Sequence, residues 1–249
     1  MKTIKLLSIA TSTLLFFTAC DEGEDANAPS LTTKEAAGLV AEELAIDTEG
    51  ITLQTTDVFN LYAEETVGAG NGRFLNNCGV TTSKSFERAT DDSRRIQADF
   101  SLVYDYSIMC NDNVPNQLMA NFTKSGNVDA PRYSSSRNGQ GSLSVNGLGH
   151  ANPEYTVNGN YQGEGARRSK VGEQRSIERT VNLALTNVTV NKEEKEITGG
   201  TADLTVEGQT SRGSFSYTGT ITFLGNQQAE MFIEGQRFVA DIRLGEINE

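Results

Sequence analysis

Few residues in this chain could carry out catalysis, and their spacing matches no familiar catalytic motif. His150 is the only histidine among the 249 residues, and it lies in the glycine-rich segment 147–153. A histidine can act as general base for a serine nucleophile, but the chain has no Gly-x-Ser-x-Gly elbow to hold such a serine. Walker, dinucleotide-binding and EF-hand motifs are also missing from the sequence. We therefore expect His150 to be a surface residue in a turn, and we expect no enzymatic activity and no cofactor.

Carboxylates are abundant, and pairs of them could hydrolyse a glycosidic bond or bind calcium. Asp99 and Asp105 share one parity of a predicted strand, but that parity is equally typical of a solvated sheet face. The acidic pairs at 91–92 and 193–194 lack the spacing of a known calcium loop. We expect solvated side chains at all four places, and no metal site.

The densest group of charged residues lies between positions 164 and 179. Its mixed signs predict a solvated loop and strand edge, where charge also discourages edge-to-edge pairing. The alternative is a patch for an acidic polysaccharide. The group consists of Arg167, Arg168, Lys170, Arg175 and Arg179, interleaved with Glu164, Glu173 and Glu178.

Cys78 and Cys110 form an even pair, which predicts a disulfide bond in an exported protein because such proteins fold in an oxidising compartment. The bond would close a loop of about 32 residues and contribute roughly 3–4 kcal/mol to the free energy of unfolding. Two free buried thiols or two metal ligands are the alternatives. The single histidine and the lack of a Cys-x-x-Cys pair argue against a metal.

The first residues predict export. Lys2 and Lys5 precede an apolar run at 6–17, which is too short for a membrane-spanning helix of roughly 20 residues. The run ends in Phe17-Thr18-Ala19-Cys20, which resembles the signal of bacterial lipoproteins. The resemblance implies that residues 1–19 are a signal peptide and that Cys20 becomes the lipid-bearing first residue, held to a membrane by its acyl chains.

An acidic segment, Asp-Glu-Gly-Glu-Asp at 21–25, follows this cysteine. It is similar to the export signal of surface lipoproteins of the Bacteroidota, which implies an outer-membrane protein exposed at the cell surface, with the periplasmic face as the alternative. We assign 20–31 as an acidic tether. Without the two signal-peptide lysines, 19 basic residues oppose 33 acidic ones, a net charge of −14. This charge disfavours nucleic acid and anionic lipid headgroups as partners.

Two kinds of periodicity follow the tether. Residues 32–67 form a predicted helical preface: Thr32 and Glu35 form a capping box, apolar residues recur at helical spacing, Gly50 ends the first segment, and 51–66 is an ambiguous second one. From 78 to 249 apolar residues alternate with polar ones, which predicts β-strands. Tight turns are expected at 224–227 and 234–236, a bulge near Asn187, and a turn at 139–141.

Consecutive strands with short turns pair antiparallel with their neighbours. The sequence therefore predicts a mainly β fold: a meander of eight to eleven strands curled into a barrel, half-barrel or sandwich, with the helical segment as a lid or edge cover. We expect a non-enzymatic binding or structural module whose protein or glycan partner is unknown. The alternative is a carrier of a hydrophobic ligand in a cavity of the curled sheet.

Overall fold

The computed structural model describes residues 30–67, 78–90, 97–149, 151–172 and 175–248. Two α-helices, separated by a 3-10 turn, precede a sheet of eleven strands. The helical elements are α1 (Thr33–Leu44), the 3-10 turn (Ile46–Thr48) and α2 (Ile51–Val67). The strands are β1 (Thr81–Ala89), β2 (Gln97–Asn111), β3 (Val114–Asp129), β4 (Tyr133–Asn146), β5 (Glu154–Ser169), β6 (Ser176–Asn191), β7 (Ile197–Thr210), β8 (Gly213–Gly225), β9 (Gln228–Ile233), β10 (Gln236–Asp241) and β11 (Glu246–Asn248).

The helices begin as the sequence predicts. The Thr32 hydroxyl accepts a hydrogen bond from the Glu35 amide (3.2 Å), and the Glu35 carboxylate accepts one from the Thr32 amide (2.9 Å). The ambiguous second segment is helical. Gly50 does not end α1; it lies between the 3-10 turn and α2, where a Cβ would be only 2.5 Å from the main chain of Leu44 and Ala45. This close approach explains the glycine.

All eleven strands form one antiparallel meander in sequence order, and the sheet is curled but not closed. The expected half-barrel is therefore the arrangement that forms. The helices contact one face of the sheet from its first strand to its last: Asp57 of α2 pairs with Arg88 of β1, and the Ile46 amide donates to the Ile242 carbonyl beyond β10 (3.0 Å). Because the sheet touches the helices along its whole width, this face is the concave one.

The predicted bulge and two of the three predicted turns are present in the sheet. Asn187 has a positive φ of 48°, and the pairing of β6 with β7 shifts between Thr186 and Thr189, which confirms the bulge. Residues 226–227 and 234–235 also have positive φ, as two-residue hairpin turns require. The turn expected at 139–141 is wrong. Gly139 and Gly141 lie inside β4, where a Cβ would meet the side chains of Lys124 and Phe122.

A single apolar core fills the space between the helices and the concave face. Inward-facing positions of the central strands are buried and alternate with solvent-facing ones, so the two-residue period sorts the sheet into an inner and an outer face. The predicted disulfide is present: Cys78 is bonded to Cys110 near the end of β2, with the two Cα atoms 5.6 Å apart. No described helix is both long enough and apolar enough to cross a membrane.

Candidate binding site

Two adjacent glutamates of α1 bring negative charge into the middle of the core. Glu43 is 1% exposed and Glu42 is 8% exposed. Both are on the side of α1 that carries the buried Leu39 and Val40, and this side rests on the sheet. An unpaired carboxylate would be very costly at this depth, so its partners decide whether α1 can dock.

The sheet supplies these partners from three strands. Arg137 of β4 donates to Glu42 (Nη2 to Oε2, 2.7 Å), and Arg179 of β6 donates to Glu43 (Nη2 to Oε1, 2.8 Å). The ammonium group of Lys124 in β3 is 3.6 Å from Oε2 of Glu43. All three cationic side chains are buried, with side-chain exposures of 0–1%. Each stands at an inward-facing position of its strand.

A tyrosine completes this arrangement, which we call the ionic cluster (Glu42, Glu43, Lys124, Arg137, Tyr161 and Arg179). The Tyr161 hydroxyl donates to Oε2 of Glu43 at 2.5 Å, and its ring lies beneath the Lys124 ammonium, 5.3 Å from the ring centroid. Arg167, which is partly exposed, pairs with the other oxygen of Glu42. The cluster thus joins one helix to four strands, β3 to β6.

Burial and charge oppose each other at Glu43. Burial alone would raise its pKa, but the attraction of Lys124, Arg137 and Arg179, together with the Tyr161 hydrogen bond, lowers the pKa from 4.5 to about 2. Burial lowers the pKa of Lys124. Burial and the nearby Glu43 charge raise the pKa of Tyr161 well above 10.0. At neutral pH Glu43 is therefore ionised and the tyrosine is neutral.

A second cluster holds α2 against β1 and β2. Asp57 accepts from Arg88 (2.7 Å) and from the Tyr104 hydroxyl (2.7 Å), and Arg88 also pairs with Glu49 (2.6 Å). Burial and the Asp57 charge raise the pKa of Tyr104, so it stays a neutral donor. Burial raises the pKa of Glu49, although Arg88 opposes the shift.

These clusters are built for holding the helices rather than for reacting with a ligand. Their carboxylates are paired with cations and hydroxyls of the same chain, and those of the ionic cluster are buried. Removing one partner of such a buried pair would leave an uncompensated charge, so the pairs favour this one docking position of the helices. The concave face is thus occupied by α1 and α2, and the hydrophobic-ligand carrier stays a prediction.

The outer face of the sheet is polar and mostly uncharged at its centre. Two rows of side chains run across five strands, because residues opposite one another in an antiparallel sheet stand side by side on the same face. Row one consists of Thr123, Gln140, Gln162, Asn182 and Thr205. Row two consists of Asn121, Ser142, Asn160, Ala184 and Asp203.

The amides of row one are oriented by bonds to their neighbours. Gln140 donates to Gln162 (Nε2 to Oε1, 2.8 Å), and Asn182 donates to Thr205 (Nδ2 to Oγ1, 3.1 Å). With strands about 4.8 Å apart, each row is roughly 19 Å long. In row two the short side chain of Ala184 stands between Asn160 and Asp203, which leaves a depression.

The two rows line a shallow groove of about 630 Å³. Its only charged lining residue is Asp203, in a chain whose net charge is −12. The remaining lining residues come from inward-facing positions of the same five strands: Phe122, Gly141, Tyr161, Leu183 and Leu204. The groove therefore lies on the outer side of the sheet, and the Tyr161 side chain projects from the same place on the inner side, where it belongs to the ionic cluster. We call this groove the outer groove.

Among the described residues, the structure does not bring the candidate catalytic or calcium-binding carboxylates together. Cys20, His150 and the acidic pair at 91–92 lie outside the described residues. Asp99 and Asp105 are both on the outer face, six residues apart on one strand, which is about 20 Å and too far for a glycosidase pair. Glu193 and Glu194 lie in the β6–β7 turn, where Asn191 caps their amides.

The charged group at 164–179 is only partly solvated. Arg168 and Lys170 are exposed as expected, but Arg179 is buried in the ionic cluster and Arg175 pairs with Glu35 of α1 (2.6 Å). The expected strand edge is also wrong, because β5 and β6 lie in the middle of the sheet. The ionic cluster itself was not anticipated. The sequence signal that could have revealed it is the two-residue alternation along β3. Lys124 follows Leu118, Ala120 and Phe122 at two-residue spacing, so it faces inward as they do.

Within the residues that the structure describes, no three histidine, cysteine, aspartate or glutamate side chains are grouped so as to hold a metal ion. Comparison of the chain with protein-family models found no match. Searches of curated proteins and of solved structures also found no match. The function therefore has to be inferred from the geometry of the molecule.

Proposed function

We propose that this protein is a lipid-anchored protein of the cell envelope whose sheet is a non-enzymatic binding module, and that the outer groove binds an uncharged carbohydrate. The observation that carries the proposal is the pairing of two rows made mostly of amide and hydroxyl side chains along a groove with one charged lining residue, Asp203. The helices already occupy the concave face, so the outer face is the broad surface that the domain presents to a ligand.

The chemistry of the groove suits a polyhydroxylated ligand. Each sugar hydroxyl both donates and accepts hydrogen bonds, and each Asn or Gln offers donors and an acceptor on one planar group. The bonds from Gln140 to Gln162 and from Asn182 to Thr205 hold these amides in place before a ligand arrives. Such preorganisation reduces the side-chain entropy lost on binding.

A protein partner suits the groove less well. The centres of protein interfaces are enriched in aromatic residues, methionine and arginine, which carry most of the binding energy. The outward-facing side chains of the groove include none of these. The same lack of exposed aromatic rings removes stacking against sugar rings, so we expect modest affinity, in the micromolar to millimolar range, that depends on hydrogen bonds.

The anchor belongs to the part of the proposal that rests on the sequence. We propose that Cys20 carries lipid and that the protein is displayed on the outer membrane. Cells grown with labelled palmitate should incorporate it into the protein, and Cys20→Ser should abolish incorporation, with Cys110→Ser as the cysteine control. Protease added to intact cells should remove the domain; complete protection would place it on the periplasmic face instead.

Binding is tested with the mature protein on an array of neutral, acidic and basic glycans. We expect retention on neutral glycans, and at least a tenfold loss in the double variant Gln162→Ala/Asn182→Ala. Ala184→Phe should give a similar loss, because it fills the depression without removing a polar group of the rows. The control pair is Asn116→Ala/Gln209→Ala, which removes the same residue types from exposed positions outside the groove.

Three results would contradict the groove as the site. They are no binding to any glycan, equal losses in the groove and control pairs, and binding restricted to acidic glycans. The last would shift attention to the basic side chains of the domain.

A further inference from the structure

The chain enters the folded domain at one particular end of the sheet. The hydroxyl of Ser30 donates to the Ser214 carbonyl (2.8 Å), and the Thr210 hydroxyl donates to the Ser30 carbonyl (3.2 Å). Tyr217 also hydrogen-bonds to the Leu31 carbonyl. Ser30 is therefore fixed beside the turn that joins β7 to β8. Ser30 follows Cys20 by only ten positions, which limits the distance between their Cα atoms to about 35 Å.

This end of the sheet is basic. Its main part consists of the β3–β4, β5–β6 and β7–β8 turns and the strand residues beside them, at 129–132, 167–172, 175 and 210–213. These positions hold six basic residues and one acidic residue, Asp129. Two carboxylates lie next to this part: Glu35 of α1, which pairs with Arg175, and Glu234 of the β9–β10 turn, which accepts from the Thr218 amide in the first half of β8. We call the basic residues the basic end: Arg132, Arg167, Arg168, Lys170, Arg175 and Arg212.

The turns of the basic end form one continuous surface. The Lys170 amide donates to the Arg132 carbonyl (2.8 Å), so the β3–β4 and β5–β6 turns are in contact. A pocket of about 480 Å³ is lined by Arg167, Arg175 and Arg212 together with Glu35 of α1. Val171, which is 45% exposed, projects from the tip of the β5–β6 turn among these cations.

The opposite end has the reverse charge. Its turns, at 111–114, 146–153, 191–197, 225–228 and 241–246, hold six acidic and three basic residues among the described positions. The acidic residues are Asp112, Glu193, Glu194, Glu196, Asp241 and Glu246, and the basic ones are Lys192, Lys195 and Arg243. Charge is thus separated along the strand direction, with the positive end where the tether arrives.

We propose that the basic end rests on the anionic lipid headgroups of the membrane that holds Cys20. The inference rests on the proposed anchor, which keeps this end within reach of the surface. Each Lys or Arg next to an anionic membrane strengthens the association by about fivefold, and the effect fades within about 10 Å. Val171 supplies an apolar contact at the headgroup boundary.

Arg167 of the basic end is held by Glu42 of the ionic cluster, and two further pairs, at the surface, leave the attraction of the other cations largely intact. Lys170 pairs with Asp129, and Arg175 with Glu35, but exposed pairs of this kind are weak and easily exchanged for a phosphate partner. The acidic tether is the competing occupant of the basic end within the chain. We favour headgroups because the arginine fork matches a phosphate and because the membrane presents many such groups side by side.

The test uses the mature, lipidated protein in vesicles of phosphatidylcholine alone or with added phosphatidylglycerol. A fluorophore is attached to Ser211→Cys in the β7–β8 turn, or to Glu194→Cys at the opposite end as a control. Lipids with spin-labelled headgroups quench any fluorophore that lies close to the surface. We expect at least threefold stronger quenching at position 211 in anionic vesicles than in neutral ones, lost at high salt, and little quenching at 194.

A matched pair of triple variants identifies the charges responsible. Arg132→Gln/Lys170→Gln/Arg212→Gln should abolish the difference between the two vesicle types, whereas Lys192→Gln/Lys195→Gln/Arg243→Gln, with the same change in charge, should preserve it. Equal quenching in both vesicle types, or equal effects of the two triples, would overturn the proposal and leave the anchor standing. Failure of the protein to float with either vesicle type would overturn the anchor, and this proposal with it.

Discussion

At Glu43 the cost of burying a charge is opposed by pairing with three buried cations. Its pKa of about 2 in the folded protein lies below its ordinary value of 4.5. A lowered folded-state pKa stabilises the protein fully above pH 4.5, and the stabilisation is lost as pH falls from 4.5 towards 2. The difference corresponds to about 3 kcal/mol. We therefore expect the free energy of unfolding to fall steeply in this acidic window.

Glu43→Gln tests this expectation. The variant keeps the side-chain shape but leaves three buried cations with one carboxylate fewer, so we expect it to lose roughly 3–5 kcal/mol at pH 7. Between pH 4.5 and 2 its stability should change less than that of the parent, because the titrating group is gone. Urea titrations at a series of pH values measure both effects. Glu207→Gln, an exposed carboxylate of β7, is the control and should follow the parent.

At the scale of secondary-structure elements, the disulfide bond is the feature to test, because it fixes the first strand rather than a single contact. Cys78 and Cys110 are 32 residues apart, and the loop between them contains β1 and most of β2. Cys78→Ser/Cys110→Ser should lower the free energy of unfolding by about 3–4 kcal/mol, chiefly by freeing the unfolded chain. Urea unfolding at neutral pH measures the loss.

The position of β1 makes the effect local as well. Among the described strands it lies at the edge of the sheet and pairs with β2. In the double serine variant we expect faster hydrogen exchange in β1 and unchanged protection in the central β5 and β6. Uniformly faster exchange, or an unchanged urea midpoint, would contradict this role of the bond. Met109→Ser, an exposed change beside Cys110, is the control for altering the end of β2.

Elements were predictable from the sequence where one local rule dominated. Two-residue alternation identified the strands, and the Asn187 bulge followed from the change of phase between Leu185 and Val188. The second helix was ambiguous because α2 buries polar residues such as Gln54 and Thr55, which blurs its apolar stripe. Gly139 and Gly141 suggested a turn, but these positions are glycine because the side chains of Lys124 and Phe122 leave no room for a Cβ. Such a tertiary contact cannot be recognised from the local sequence.

The candidate sites were harder to predict for the same reason. Lys124, Arg137 and Arg179 had inward parity, but parity alone does not reveal that two glutamates of α1 would meet them. The outer groove depends on register across five strands, which sets Gln162 beside both Gln140 and Asn182. The sequence shows which residues face outward on each strand, but it does not show which of them stand beside one another on neighbouring strands.

At the scale of the whole molecule, the distribution of charge over the surface is more informative about membrane contact than the net charge. The net negative charge predicts repulsion from anionic lipid, yet the three turns of the basic end, beside which Ser30 is fixed, carry six basic residues against Asp129, with Glu35 and Glu234 next to them. Repulsion from the remaining acidic surface weakens with distance because salt screens it over about 10 Å. If the proposed anchor holds the protein at a membrane, this charge separation orients the strands roughly perpendicular to the membrane surface, with the outer groove facing sideways.

The ionic cluster and the second cluster also make a prediction about the whole molecule: the helices and the sheet unfold as one unit. Tyr161 and Tyr104 each donate to a helix carboxylate from the concave face, so tyrosine fluorescence reports helix docking in this tryptophan-free chain. Far-ultraviolet circular dichroism reports the sheet. We expect the two urea transitions to coincide, and to shift together in Glu43→Gln, because one core serves both layers. A tyrosine transition that precedes loss of the sheet would instead mean that the helices dock as a separate, weaker layer.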